Sequence, residues 1–558
     1  MANNGEKKNN FLLHGGLLAA ASLIVRLIGL LYRIPMVAII GSEGSGYYSN
    51  AFQVYNILLL LSSYSLPLAV SKMVSARVAF KKWRETRRIL HTALIFAAAV
   101  GTAFGLITFF GADFFCTKVI NSENSALALK CLAPTVTIVA FLGVLRGFYQ
   151  GLETMIPTSV SQIIEQIVNA AVSIGAAAIL VSAAGASALI TTNPSLPAMY
   201  GAAGGTIGTG AGALAALIFC ILLMMKYRPV LLGNAERDPH KTTASYGNLL
   251  KVLTLTAVPV IFSTAAYNSV DIIDSALFNH AMNARGIEEA VYAATWGDYN
   301  NAFLTLVHLP VAISSAIAAA LVPALSAAHA RHDHRETMSK ILLTFRVTLL
   351  FAIPVSLGMM AIGGNLAKLL FKSIAPEAEK YLAVGGLSVL IFSLSTVSNA
   401  ILQGLSHMEK PALHALIALA AQSLLLVLLL FVFKAGIFGV IASYMVFGLV
   451  MLTLNLISIY KFVKFKLDPV KSVMIPFLVG AAMVILLFVI SFLVTRVMTG
   501  TLANLIIVFA GLLFGAALYL VGVLKFGCIT KENLVELPYG EKMAKFFTKL
   551  HLLKGARK

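Results

Sequence analysis

The chain has 558 residues, of which 59% are apolar and only 12% charged, with a mean hydropathy of +0.88. Soluble domains carry roughly half apolar and a quarter charged residues, so a water-soluble enzyme is excluded and a chain crossing a membrane many times is expected. Forty-two Lys and Arg against 23 Asp and Glu give a net charge of +19, but these charges lie between apolar runs, where membrane lipids and topology account for them and nucleic acid does not.

In chain order, Lys7 and Lys8 followed by an apolar run imitate a signal peptide. The run continues past Arg26 and Arg33 to Ile40, so an uncleaved first span is expected. Apolar runs at 11–40, 47–71, 90–112, 126–148, 157–183 and 201–225 are followed by 250–280, 299–325, 341–371, 381–405, 411–434 and 437–460, then by 473–495 and 500–524. The expectation is an all-α membrane protein of about fourteen transmembrane helices. Its parts are an N-lobe at 1–232, a C-lobe at 233–462, two added helices at 463–527, and a basic cytoplasmic tail at 528–558. Within that tail, residues 541–554 carry Phe546, Phe547 and Leu550 on one face and lysines around the other, as in an amphipathic helix lying on a membrane. Cys116, Cys131, Cys220 and Cys528 are scattered and suggest neither a disulfide framework nor a zinc site.

Lys and Arg number 31 in the N-terminus, the even-numbered connections and the tail, against six in the odd-numbered connections. The excess of cations places both termini in the cytoplasm. An internal repeat is the most informative feature. Residues 46–86 align without gaps over 297–337, pairing Gly46/Gly297, Tyr48/Tyr299, Asn50/Asn301, Phe52/Phe303 and the run Arg84-Glu85-Thr86 with Arg335-Glu336-Thr337. Gln150-Gly151-Leu152 matches Gln403-Gly404-Leu405 two residues further on. Six spans separate equivalent points, so two six-helix lobes of the same orientation are expected, related by a pseudo-two-fold axis along the membrane normal, with the substrate path between them. Tyr48, Asn50, Tyr299 and Asn301 are the repeat-related candidates for lining that path.

Charges within spans are costly and mark function. Arg26 and Arg33 are seven residues apart, about 20° from eclipsed on a helix, with Ser22 on the same side. Their guanidinium groups suit a pyrophosphate or similar anionic head group; anchoring at the membrane interface is the alternative. In the fifth span Gln162, Glu165, Gln166, Asn169 and Ser173 form a polar stripe that either lines the same cavity or bonds neighbouring helices, and Glu165 can pair with an arginine when the site is empty. Asp271 and Asp274, one turn apart in the seventh span, could bind a driving cation, proton or sodium, or pair with Arg346 or Lys368. His329, His332 and His334 read as a solvated loop before they read as a metal site. Gly201, Gly204, Gly205, Gly208 and Gly212 are spaced for close helix packing, and no G-x-x-x-x-G-K-[ST] occurs, so no P-loop couples ATP to the cycle.

The sequences Arg26-Leu-Ile-Gly-Leu-Leu-Tyr-Arg33-Ile-Pro, Gly46-Tyr-Tyr-Ser-Asn-Ala-Phe and Leu-Arg146-Gly-Phe-Tyr-Gln-Gly-Leu-Glu153 resemble the stage V sporulation protein B branch of polysaccharide-biosynthesis membrane proteins. That branch falls within the multidrug/oligosaccharidyl-lipid/polysaccharide (MOP) exporter superfamily, together with the MurJ lipid II flippases. The resemblance covers essentially the whole chain. It implies two six-helix lobes, two added helices, and alternating access for an undecaprenyl-pyrophosphate-linked sugar, with Arg26 and Arg33 at cavity positions, spaced by seven residues where MurJ has six. Cavity arginines on the second and eighth spans have no counterpart here. Asp271 or Asp274 resembles the seventh-helix acid of sodium-binding relatives, whose eleventh-helix acid is missing, since 411–434 offers only His414, Gln422 and Ser423 ahead of Lys434. The expectation is a monomeric flippase for a lipid-linked cell-wall precursor such as lipid II, with no cofactor and no catalytic residue, driven by a cation or the membrane potential. An exporter of teichoic or capsular units shares its pyrophosphate chemistry. A multidrug exporter would favour an acidic cavity, and an intramembrane glycosyltransferase would need acids on a substantial loop.

Overall fold

A computed structural model describes residues 3–240, 244–528 and 547–549, with side chains from Ile24 onward except at 257–260, 262–266 and 320. The expected amphipathic tail helix at 541–554 lies outside the described residues apart from 547–549. Among the described residues every regular element is helical. They divide into two compact units, Met1–Gly297 and Asp298–Lys558.

The first unit contains α1 (Asn3–Ser62), α2 (Leu66–Val78), α3 (Trp83–Phe114), α4 (Ala126–Gly151), α5 (Ile156–Gly185), α6 (Leu196–Glu236), α7 (Tyr246–Asn268), α8 (Val270–Asn283) and α9 (Glu289–Asp298). Gly41, at φ 71°, breaks α1 into two helices, a conformation open to glycine at little cost. The expected first two spans therefore share one segment, Ile24–Val78. The second unit contains α10 (Thr305–Ala330), α11 (His334–Leu370), α12 (Tyr381–Gly385), α13 (Ser388–Gly404), α14 (Glu409–Val427), α15 (Gly436–Val463), α16 (Ile475–Val497), α17 (Thr501–Ala510) and α18 (Ala516–Lys525).

Among the described residues eleven helices are long and apolar enough to cross a membrane, or twelve if the pair Pro376–Gly385 and Ser388–Gly404, bent by 47°, is one span. Fourteen separate spans are not recovered. The first two, expected at 11–40 and 47–71, lie in one continuous segment that Gly41 breaks between them, and the seventh falls on α7 and α8, where side chains are only partly described. Leu222, Ile485, Phe488 and Leu513 stand more than half exposed, as lipid-facing side chains do.

α5 and α6 are joined by small residues. A Cβ placed on Gly204 would stand 2.6 Å from the Ala177 backbone, one on Gly208 2.0 Å from Ser173 Oγ, and one on Gly212 2.4 Å from the Glu165 carbonyl. The glycine spacing thus draws α6 onto the backbone of α5. Ser173 Oγ bridges Asn169 Oδ1 at 3.0 Å and the Gly205 carbonyl at 2.8 Å across this contact.

The repeat is reproduced inside each unit. Lys81 and His332, equivalent in the alignment, both turn the chain with φ near 55° (55° and 56°), and the helix after each begins two residues on. Gly151 meets Val74, 2.6 Å from its Cβ, where Gly404 meets Leu325, 3.1 Å from its Cβ. Tyr48 stacks on Phe52 at 5.6 Å, and Tyr299 on Phe303 at 5.4 Å. In the second unit Leu325, Ile341, Phe345, Ile401 and Ile459 form the core under α10, α11, α13 and α15. The added helices attach to α11 through Met483, Leu487 and Tyr519, leaving an apolar cavity of about 420 Å³ lined by Pro354, Met359, Leu512 and Leu520 among others.

The connection after α6 is fastened to the start of α3. Asp238 accepts the Arg84 amide at 2.9 Å, the Glu85 carboxylate accepts the Ala244 amide at 3.1 Å, and Arg88 donates to the Ala244 carbonyl at 2.8 Å. Burial opposes ionisation of Asp238, yet the Arg84 and His240 amides and the His240 ring outweigh it and hold the carboxyl below its usual range.

Candidate functional site

Helix α1 presents two contrasting faces. Ile24, Leu27 and Leu31 are exposed on one side, and Arg26 and Arg33 lie about 140° away, on the side of the buried Met36, Val37 and Ile40. Arg33 is half-buried and Arg26 exposed. Tyr32 and Tyr48 pack against the same Met36, Ile40 and Ala177 cluster, and the Tyr48 hydroxyl lies near Thr209 and within reach of the Arg33 charge, so a guanidinium, two phenols and a hydroxyl from α1 and α6 converge. Tyr48 is held there by Gly205, whose absent side chain leaves room for Met36 and the tyrosine ring. The Ser22 side chain lies outside the described residues.

The polar stripe of α5 divides. Asn169 and Ser173 are buried against α6 and bond within that interface. Gln162 and Glu165 are half-buried, and Glu165 accepts a hydrogen bond from Arg146 of α4, Nη2 to Oε2 at 2.7 Å. Arg146 Nε donates to Ser161 Oγ at 2.8 Å. Arg146 falls inside the expected fourth span, 126–148, and α4 carries on past it to Gly151. Ser161 and Glu165, four residues apart on one face and shortly after that arginine, were the available signal.

Asn50 is fully buried and accepts from Ser275 at 2.7 Å; Tyr299 and Asn301 are buried as well, so these three face no open surface, unlike Tyr48. Asp271 is exposed and Asp274 buried on successive turns of α8. Lys368 is bonded to Glu379 at 2.6 Å within its own unit. Among the described residues no three His, Cys, Asp or Glu side chains converge as metal ligands, the His329, His332 and His334 segment included.

The second unit holds a neutral counterpart of the Arg146 cluster. Asn455 donates to Asn399 Oδ1 at 2.7 Å and to Ser398 Oγ at 2.9 Å, and its own carbonyl lies 2.7 Å from His414 Nδ1. With the offset of the Gln150/Gln403 match, Asn399 stands for Arg146 and His414 for Ser161.

A family model described as polysaccharide biosynthesis protein matches residues 13–329, more than half the chain. The chain belongs to this family. Stage V sporulation protein B of Bacillus subtilis (strain 168) is 23% identical over 542 residues, covering 95% of this chain and 98% of that protein. Lipid II flippase MurJ of the same organism is 23% identical over 550 residues, covering 95% and 97%. Among solved structures, MurJ in an inward closed conformation superposes with a TM-score of 0.62 at 14% identity, over 92% of this chain and 98% of that one. An inward-facing multidrug resistance MATE transporter of the MOP superfamily gives a TM-score of 0.62 at 15% identity, over 79% and 98%. At these identities the solved structures establish the fold: this polysaccharide biosynthesis family member is a multi-span helical membrane protein with the fold seen in MurJ and the MATE transporter.

Proposed function

We propose that the chain is a flippase that moves an undecaprenyl-pyrophosphate-linked cell-wall precursor, lipid II foremost, from the inner to the outer leaflet of a bacterial plasma membrane by alternating access. It is a carrier, not an enzyme, and works as a monomer with both termini cytoplasmic. The observation that carries this reading is Arg33, a guanidinium kept within a span beside Tyr32, Tyr48 and Thr209. A cation there costs about 3 kcal/mol against an apolar residue, which anchoring alone does not require. A planar guanidinium bonds two phosphate oxygens at once, and phenol and threonine hydroxyls can donate to the same oxygens or to a sugar. A cationic drug would be repelled by the same groups, which disfavours a multidrug exporter.

The energy source is proposed to be a cation gradient or the membrane potential, read by Asp271 or Asp274 on α8. Asp271→Asn and Asp274→Asn keep the shape and remove the charge, so at least one should lose gradient dependence; unchanged dependence in both leaves substrate turnover as the drive. The reading itself is tested with purified protein in liposomes carrying labelled lipid II in one leaflet. Lipid II should become accessible in the other leaflet with wild-type protein and not with Arg33→Ala. Equal rates with and without protein would refute it.

A further inference from the structure

We infer that Arg146 is a further ligand for the diphosphate of the substrate and that Glu165 is its resident occupant, displaced when substrate arrives. This rests on the flippase reading and adds a residue from a different helix to its anion site.

Four observations place Arg146 there. The first is its free valence: Nε is committed to Ser161 and one Nη2 hydrogen to Glu165, and among the described residues no other acceptor meets the group, leaving three of the five guanidinium N–H donors for an incoming anion. The second is the side it faces. On α5 the exposed Ile156, Val160 and Ile167 mark a lipid-facing side, while the partly exposed Gln162 and Glu165 lie about 140° and 160° round the helix. The ion pair therefore meets water on the protein side of α5. With 14% and 24% of their side chains accessible, Arg146 and Glu165 are open to a ligand without being dispersed into solvent.

The third is height. Met36 and Ile40 of α1 pack on Ala177 and Val181 of α5, so the two helices run side by side in the same direction. Ten residues before Met36 and Ala177 stand Arg26 and Ile167, and Glu165 is two residues from Ile167. At 1.5 Å per residue, Arg26 and Glu165 differ by about 3 Å along the helices, about the span of a diphosphate, whereas Arg33 stands about 10 Å beyond Arg26, so Arg146 shares its level with Arg26. The fourth comes from the repeat. The equivalent hairpin of the second unit closes with Asn399, Asn455 and His414 and without an ion pair. There Asn455 of α15 joins Asn399 of α13 to His414 of α14, so the equivalent helices are held without an ion pair, and an ion pair is not what this arrangement requires of Arg146.

The exchange keeps the Arg146 donors satisfied, because phosphate oxygens take the three uncommitted N–H groups and the one that Glu165 gives up, while the displaced Glu165 carboxylate, partly accessible, turns to water or takes up a proton beside the added negative charge. The test is binding of radiolabelled farnesyl pyrophosphate to the full-length protein in detergent. Glu165→Gln frees the guanidinium and should tighten binding several-fold. Arg146→Ala should weaken it about tenfold, the scale of one charged hydrogen-bonding contact. The double variant Arg146→Ala/Glu165→Gln has no buried unpaired charge and should stay as weak as Arg146→Ala while melting like wild type. Recovery of wild-type binding in the double variant would make the pair purely structural and overturn the inference. Inorganic pyrophosphate at millimolar concentration should compete with the same order across the variants; an order seen only with the isoprenoid probe would place the effect on the lipid tail and overturn the phosphate contact. Arg33→Ala separates the two levels of the account: if it too binds as wild type the flippase reading fails, whereas loss in Arg33→Ala with wild-type binding in Arg146→Ala sinks this inference alone.

Discussion

Gly46 and Gly297, equivalent positions of the internal repeat, meet each other in the first unit: a Cβ on Gly297 would stand 2.8 Å from the Gly46 amide nitrogen. The same Cβ would lie 2.0 Å from the Ser42 carbonyl, and one on Gly46 would lie 1.9 Å from the Ala293 carbonyl. Backbone meets backbone on both sides, so no side-chain rotation can relieve an added methyl group. Gly46→Ala and Gly297→Ala should each destabilise the protein by roughly 1–3 kcal/mol or more. Melting of the detergent-solubilised protein measures this, with Gly233→Ala, where a Cβ meets nothing within 4 Å, as the neutral control. Equal melting of all three variants would show that this contact is looser than its geometry.

The arginines of α1 should behave unequally toward conservative change. Arg33→Ala and Arg26→Ala should each reduce transport by about tenfold or more with membrane abundance intact, while Arg33→Lys, which keeps the charge and loses the fork, should fall between. Normal transport by both alanine variants would make the pair interfacial anchors.

Much of this was legible in the sequence, and the losses have physical reasons. Run lengths find apolar stretches but not where a helix bends or where it ends. The gap between the expected runs 11–40 and 47–71 falls where Gly41 breaks α1, but run lengths do not show that the helix continues on both sides of the kink or that α4 extends to Gly151. Gly201 to Gly212 announced a close helix contact because small residues leave little else to do at that spacing, and α5 fills it. The repeat marked Asn50, Tyr299 and Asn301 as special without saying why. They are buried side chains within helix packing, a role that identity in an alignment cannot separate from lining a path. Only Tyr48 of that set sits with Arg33, because Gly205 of α6 leaves room for its ring there, and no sequence pattern links residues so far apart.

Topology follows from the cation count and is open to direct reading. In a background lacking the four native cysteines, single cysteines at the exposed positions Glu123 and Glu377 should react with an impermeant maleimide in intact cells, and one at the exposed Arg87 only after lysis. The reverse pattern would invert the protein and the loading side with it.

The Asp238 fastening predicts a pH dependence of stability. Its carboxyl is held below the usual range in the folded protein, so its contribution is fully present above the unfolded value of about 4 and is lost as pH falls through the lower folded value. Asp238→Ala should cost about 1–3 kcal/mol near pH 7. The melting difference between variant and wild type should shrink as the pH is lowered below 4. A difference that stays constant into acid would mean that the ionised carboxylate contributes nothing there.

The most direct test of the central claim is made in cells. This chain is expressed in a bacterium while the resident lipid II flippases are depleted, and the lipid II reachable by an externally added degrading enzyme is measured. The account predicts that growth returns and that lipid II becomes accessible outside, with Arg33→Ala failing on both counts at equal membrane abundance. Protein that reaches the membrane while lipid II stays inaccessible would contradict the assignment of lipid II as the substrate.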